Sequence, residues 1–254
     1  DGYDVELVTI PVLESGCIDI SALEKALNKD TAIVSIGLVN GEVGVIQDMK
    51  AISKLISDIR GDDRFPLIHT DAVQALQYMD VSVHTLGVDA LTISAHKLYG
   101  PKGIGALIFP SKKGEKGVRD CIKPLIQGGG QEFGMRSGTE NVASVVGFAK
   151  AMDILEKKRK NETKRMRALQ SLFLRELKKS IPGIKLNGPR LGQSRIPNNI
   201  NMYFPHMKGP LQNFLVRLDR AGIAASSGSA CASRSVEPSH VLRALYKSDE
   251  RGKK

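Results

Sequence analysis

Apolar residues in the first half of this chain fall in short, nearly continuous runs separated by amphipathic stretches. That alternation predicts an α/β fold built on a mostly parallel sheet. Strands are predicted at Glu6 to Ile10, Thr31 to Val39, Leu67-Ile68, Val88 to Ile93 and Gly105 to Phe109. The last two are close enough in sequence to pair antiparallel. Helices are predicted over Ser21 to Leu27, with Ser21 near the cap, and over Asp48 to Ile59, where Met49, Ile52, Leu55, Ile56 and Ile59 recur at helical spacing. From Asn141 to Leu177 the pattern is long and helical, as one or two helices, with Val142, Val145, Val146, Phe148, Ala149 and Met152 as the expected buried face. After Pro182-Gly183 the pattern changes to a small α+β unit. Its elements are a strand at Ile200 to Phe204, a helix at Leu211 to Leu218, a strand at Ile223 to Ala225 and a helix at Val241 to Leu245. The expected domains are 1–157, a partial sheet-based large domain, and 158–254, a partial small C-terminal domain.

Composition narrows the class. The 254 residues are 41% hydrophobic and 25% charged, as in a globular protein. No apolar stretch reaches membrane-spanning length, and Asp1-Gly2-Tyr3-Asp4 does not resemble a targeting peptide. A cytoplasmic location without membrane association is the expectation. The net charge of +10 gathers at Lys112 to Lys116 and at Lys157 to Arg167, without interleaved aromatics. These read as solvated faces, and no nucleic-acid binding beyond nonspecific attraction is expected. The three cysteines have no paired spacing, so neither a disulfide framework nor a metal site is expected.

Candidate chemistry sits at predicted strand ends, where parallel sheets present their functional groups. Val88 to Ile93 runs into Ser94-Ala95-His96-Lys97-Leu98-Tyr99-Gly100-Pro101-Lys102-Gly103. A lysine held there can lose its proton and attack carbonyls, and Ser94 and His96 suit an anionic phosphate. Together they suggest a Schiff-base lysine for pyridoxal phosphate. The strand Leu67-Ile68 ends in His69-Thr70-Asp71-Ala72-Val73-Gln74. A carboxylate such as Asp71 keeps a pyridine nitrogen protonated; the plainer role for Asp71 is to cap a helix starting near Ala72. Cys231 lies in the small-residue segment Ser226 to Ser233, accessible enough for its thiolate to act as a nucleophile. Cys17 and Cys121 lack such surroundings.

Four motifs recur in order: the HxDAxQ strand end, SxHKxYGPKGxG, GGGQExGMRSGTEN from Gly128 to Asn141, and SSGSACxSxxxEPSxVLRAL from Ser226 to Leu245. The series resembles the cysteine desulfurases of the class V aminotransferase family, the NifS/IscS-like proteins, over nearly the whole chain. The resemblance implies a pyridoxal-phosphate-transferase-like α/β fold and conversion of L-cysteine to L-alanine. Lys97 would hold the cofactor and shuttle the α-proton, and Cys231 would carry the sulfur as a persulfide. Asp71 would pair the ring nitrogen and Gln74 the ring oxygen, while Ser94 and His96 would bind the phosphate. Thr139 would reach the phosphate of a partner subunit, which implies a homodimer. A sulfur-acceptor protein or iron–sulfur scaffold would receive the sulfur, for cluster assembly or tRNA thiolation. Arg136 reads as a brace for its own glycine-rich loop, and His69 as a satisfied core histidine.

The chain departs from the family pattern in three places. The usual Asn-Asn-Glu-x-Gly is Asn40-Gly41-Glu42-Val43-Gly44 here, so Asn40 is the candidate to supply the cofactor contact that Gly41 cannot. Family members carry further residues before this segment, with a phosphate-cradling loop and a ring-stacking His. They also carry an Arg beyond its end that grips the substrate carboxylate. The segment therefore reads as the central and late portion of a desulfurase, with poor or no turnover expected of it alone. Selenocysteine lyase is the alternative activity, and a truncated non-catalytic paralogue acting through dimerisation is the alternative of another class.

Overall fold

A computed structural model describes residues 4–110, 118–192, 194–205, 207, 211–226 and 239–247. The chain divides into two compact units that interleave in sequence. One contains residues 27–39 and 48–163; the other contains 1–26, 40–47 and 164–254. The sequence reading divided the chain once, at 157/158. In the structure the units change at 163/164, and two earlier segments group with the C-terminal part. The reason is packing at long sequence separation. Val43 and Val45 form an apolar cluster with Leu245 and Tyr246, onto which Val12, Cys17, Val241 and Leu242 pack.

The first unit holds a four-stranded sheet in the order β1 (Ile33–Gly37), β2 (Leu67–Asp71), β3 (Ala90–Ser94), β4 (Gly105–Ile108). The pairs β1–β2 and β2–β3 are parallel, and β3–β4 is antiparallel, as the pattern predicted. Strand side chains alternate between faces, and here the faces differ in chemistry. Ile68, Thr70, Leu91 and Ile93 point to a buried face, while Ser35, His69, Asp71, Thr92 and Ser94 share the other. Helix α2 (Met49–Arg60) buries Met49, Ile52 and Ile56 and starts at Asp48, whose Oδ1 accepts the Ala51 N–H at 3.1 Å. A short helix, α3 (Val83–Leu86), precedes β3. Between them, Asp89 Oδ2 accepts from Arg60 Nη1 at 2.7 Å and from the Ile68 N–H at 2.8 Å, tying α2 and β2 to the entry of β3.

Helix α4 (Val142–Ser180) is a single helix of 39 residues whose first half belongs to this unit. Its expected buried face is mostly open: Phe148 is buried, whereas Val142, Val145 and Val146 are exposed. The second unit contains α1 (Ile20–Ala26), the rest of α4, and a two-stranded antiparallel sheet of β5 (Lys185–Leu186) and β6 (Met202–Tyr203). It also holds α5 (Leu211–Arg220) and α6 (His240–Leu245). Asp19 rather than Ser21 caps α1, its Oδ1 accepting the Ala22 N–H at 3.0 Å. Two predicted strands do not form. Among the described residues Glu6 to Ile10 and Ile223 to Ala225 join no sheet, and Val5, Leu7 and Val8 are exposed. Both have the composition of strands, and among the described residues no neighbour completes the ladder. Among the described residues no helix is long and apolar enough to cross a membrane.

Replacing Asp89 with Ala removes a charged acceptor from both α2 and β2. The expected cost is about 2–3 kcal/mol of stability, read as a lower urea midpoint with an unchanged slope. A midpoint equal to wild type would show that Asp89 does not anchor the sheet.

Candidate active site

Three consecutive strands end at one edge of the sheet. The register sets Gly37 beside Asp71 and Asp71 beside Thr92, and β3 runs on to Ser94. Asp71 is exposed at its strand end, where its Oδ1 accepts the Val73 N–H at 2.9 Å. That bond makes a local turn, not a helix cap: residues 73–78 are turns, so the predicted helix start does not exist. Gln74 follows in the turn, half-buried.

Beyond Ser94 the chain tightens into one 3₁₀ turn, Ala95–Leu98, carrying His96 and Lys97. Tyr99 closes it in the left-handed region at φ 61°, a conformation uncommon for a residue with a Cβ. The turn is held on three sides. The Ala95 N–H donates to the Ile104 carbonyl at 3.1 Å and the Gly100 N–H to the Ala95 carbonyl at 3.0 Å. Helix α4 supplies the third side: a Cβ on Gly147 would lie 2.7 Å from Pro101 Cγ, and one on Gly100 would lie 3.3 Å from Ala151 Cβ. Gly100 in this motif and Gly147 on α4 therefore serve close packing beneath the lysine turn. Lys97 is half-buried and makes no hydrogen bond or ion pair among the described residues, so its amine is uncommitted. Ser94 Oγ and His96 Nδ1 lie 2.8 Å apart, which joins the two proposed phosphate ligands.

Below the edge, His69 bridges three strands. Its Nδ1 is 2.8 Å from Ser35 Oγ and its Nε2 is 2.8 Å from Thr92 Oγ1. Burial lowers the His69 pKa below its ordinary value, opposed by the nearby Asp71 carboxylate. Its neutral ring donates through one nitrogen and accepts through the other. The satisfied-histidine reading holds, but the partners Ser35 and Thr92 went unread in the sequence. Their signal was parity: both occupy the face that carries His69 and Asp71.

The other candidates fall in other segments of the chain. Thr139 is exposed in a loop that closes on itself, through the Ser137 N–H to the Ile126 carbonyl at 3.1 Å and the Gly138 N–H to Gln131 Oε1 at 3.1 Å. Arg136 braces that loop as expected, donating to the Ser137 carbonyl at 2.7 Å. Asn40 belongs to the second unit, and its Oδ1 is engaged by the N–H groups of Glu42 and Val43 at 2.9 and 3.0 Å. Only its amide N–H₂ remains for a ligand. Cys231 lies outside the described residues. Among the described residues no cluster of three or more His, Cys, Asp or Glu could hold a metal ion.

The family model Aminotransferase class-V matches residues 2–248. The chain belongs to the class V aminotransferase family. It is 45% identical to a protein of Dictyoglomus turgidum named cysteine desulfurase IscS, over 94% of this chain and 57% of that protein. It is 41% identical to the mitosomal cysteine desulfurase of Encephalitozoon cuniculi, over 97% of this chain and 53% of the relative. Among solved structures, a NifS-like protein superposes with a TM-score of 0.81 at 33% identity, covering 98% of this chain and 60% of that one. The chain thus spans little more than half the length of the relatives it matches. Its architecture is that of the NifS-like, fold-type I enzymes, and the cofactor of such class V proteins is pyridoxal phosphate. The sheet edge fits that group chemically. It offers an uncommitted amine for an aldehyde, an exposed carboxylate for a ring nitrogen, and a hydroxyl–imidazole pair for a phosphate.

A histidine whose pKa is lowered on folding binds fewer protons in the native state than in the unfolded one. The stability contributed by His69 is therefore full above about pH 6.5 and is lost as pH falls through its lower folded value. Urea midpoints taken between pH 7.5 and 5 should fall less steeply in His69→Gln than in wild type. Parallel slopes would rule His69 out as a source of the acid sensitivity.

Proposed function

We propose that the protein is a pyridoxal-phosphate-dependent cysteine desulfurase, converting L-cysteine to L-alanine with the sulfur carried on Cys231 as a persulfide. The observation that carries this reading is the placement of Lys97 and Asp71 at the ends of adjacent parallel strands, on one sheet edge. The names of the relatives, cysteine desulfurase in both cases above, support the substrate.

Bound at that edge, pyridoxal phosphate supplies an electron sink that makes the substrate α-carbon acidic and weakens its C–S bond. The rest falls to the chain's own groups. Lys97 would hold the cofactor's aldehyde, and its Nζ would move a proton at the substrate α-carbon. Asp71 keeps a positive charge on the ring nitrogen, and Gln74 orients the ring oxygen. Ser94 and His96 bind the phosphate, their 2.8 Å contact fixing which imidazole nitrogen faces the hydroxyl. The Cys231 thiolate forms an S–S bond with the substrate sulfur as the C–S bond breaks. The electron pair stays on carbon, which takes up a proton and leaves as alanine. The persulfide then passes to an acceptor protein or iron–sulfur scaffold, in a homodimer whose partner phosphate is reached by Thr139.

Pyridoxal phosphate added to the purified protein should give a visible absorption band that borohydride fixes covalently to Lys97 and that Lys97→Ala lacks. Identical spectra for wild type and Lys97→Ala would falsify cofactor attachment. Cys231→Ala should keep the band while losing persulfide formation and alanine release from L-cysteine. Undiminished alanine release from that variant would remove Cys231 from the reaction.

A further inference from the structure

His69 and Asp71 stand two residues apart on the same face of β2, inside one unit of the chain. Two strand residues span about 6.5 Å, so an imidazole leaning along the strand can reach a carboxylate at that position. Such neighbours attract, because a nearby carboxylate favours the charged form of histidine. Here the pair does not close. Both ring nitrogens are taken sideways, Nδ1 by Ser35 Oγ on β1 and Nε2 by Thr92 Oγ1 on β3, each at 2.8 Å. Asp71 spends Oδ1 on the Val73 N–H at 2.9 Å, and its Oδ2 makes no bond among the described residues.

The ring therefore lies across the strands, and its surroundings keep it uncharged. Burial lowers its pKa below the ordinary histidine value, and the Asp71 carboxylate opposes this without overcoming it. From the flanking strands this face receives Ser35 and Gly37 of β1 and Ala90, Thr92 and Ser94 of β3, none of them charged. His96 and Lys97 follow Ser94 in the 3₁₀ turn. A hydroxyl can donate or accept, so the serine–histidine–threonine line is complete with a neutral ring, whichever nitrogen carries the proton. An imidazolium swung onto Asp71 would instead occupy the free oxygen and offset its charge. A pyridinium seeking the same carboxylate would then meet a competitor already in place.

We propose that His69 is a positioning residue, held across the strands by Ser35 and Thr92 so that its neutral ring stays off Asp71 and leaves the free carboxylate oxygen to the cofactor's ring nitrogen. This rests on the pyridoxal phosphate reading above and extends it to three side chains which that reading leaves without a role. Two hydroxyls that touch no ligand thereby decide whether the carboxylate is available.

The test removes both hydroxyls, in the double variant Ser35→Ala, Thr92→Val. Without cofactor, the released ring should turn to Asp71. Its half-titration, followed by the NMR shifts of the ring protons, should move from below about pH 6.5 to above it. Adding Asp71→Asn should return it below that value. With pyridoxal phosphate, the dissociation constant of the double variant should exceed that of wild type about tenfold at pH 6, where its ring is charged. At pH 8, where both rings are neutral, the two proteins should agree within about twofold. Adding His69→Gln to the double variant should restore affinity at pH 6. Should the double variant fail to fold, Thr92→Val alone, close to threonine in shape, carries the same measurements. A His69 titration that stays put or falls further, or an affinity loss equal at both pH values, would overturn the assignment. If wild type binds no pyridoxal phosphate, the proposed function fails by itself. The positioning role then stands or falls on the cofactor-free titration.

Discussion

The parallel pairing of β2 with β3 is the constraint on which the sheet edge depends. Strands that run the same way finish at the same edge; antiparallel pairing would have sent Asp71 and Ser94 to opposite ends. The register then sets the offset. Asp71 stands beside Thr92, so β3 continues for two residues before it breaks into the lysine turn. A slip of one residue in β2 would carry Asp71 and His69 onto the face now occupied by Ile68 and Thr70, which is fully buried. The hydrophobic pattern that opposes such a slip is therefore also what holds the chemistry in place.

The polar face has its own logic. Polar side chains that are half-buried, as His69 and Thr92 are, favour being bonded, and these two are linked to each other and to exposed Ser35 across three strands. The link runs perpendicular to the strands, beneath Asp71, and ties together the strand ends on which the edge is built. Burial keeps the imidazole neutral, so it can accept from one hydroxyl while donating to the other. A charged ring would have two donors and no acceptor, leaving one partner mismatched.

Local signals made the sheet legible in the sequence. Apolar runs marked β1 to β4, helical spacing marked α2 and α4, and punctuation by Gly100, Pro101 and Gly103 marked the lysine turn. Two kinds of feature escaped. Glu6 to Ile10 has strand composition and finds no partner among the described residues, because pairing is decided by a neighbour that composition does not report. The grouping of 1–26 and 40–47 with the C-terminal part escaped for a related reason. It rests on contacts such as Val43 with Leu245, far apart in sequence. The same holds at the site level. Asp71 and Lys97 stand out because each ends a recognisable strand, whereas Ser35 and Thr92 sit inside apolar runs where only parity with His69 marks them.

The Asn40 to Val45 segment shows how one short stretch answers to two demands. Its polar atoms face Asn199 and Asn201, while its apolar residues Val43 and Val45 lie in the cluster with Leu245 and Tyr246. Tyr246 also accepts the Gly188 N–H through its hydroxyl at 2.8 Å, and Gly188 in turn packs against Val43 so closely that a Cβ would fall 2.8 Å from the Val43 carbonyl. The helix that ends in this cluster, α6, follows the Cys231 segment in sequence, with Ser239 capping its first turn by accepting the Val241 N–H at 3.1 Å. Asn40 and the anchor after Cys231 thus share one apolar floor. Cores of this kind are close-packed and transmit displacement, so a change of volume at Val43 reaches both. Within this unit, the Asn40 turn is held in place less by the residues beside it than by the packing of Val43 and Val45 against α6 and Tyr246.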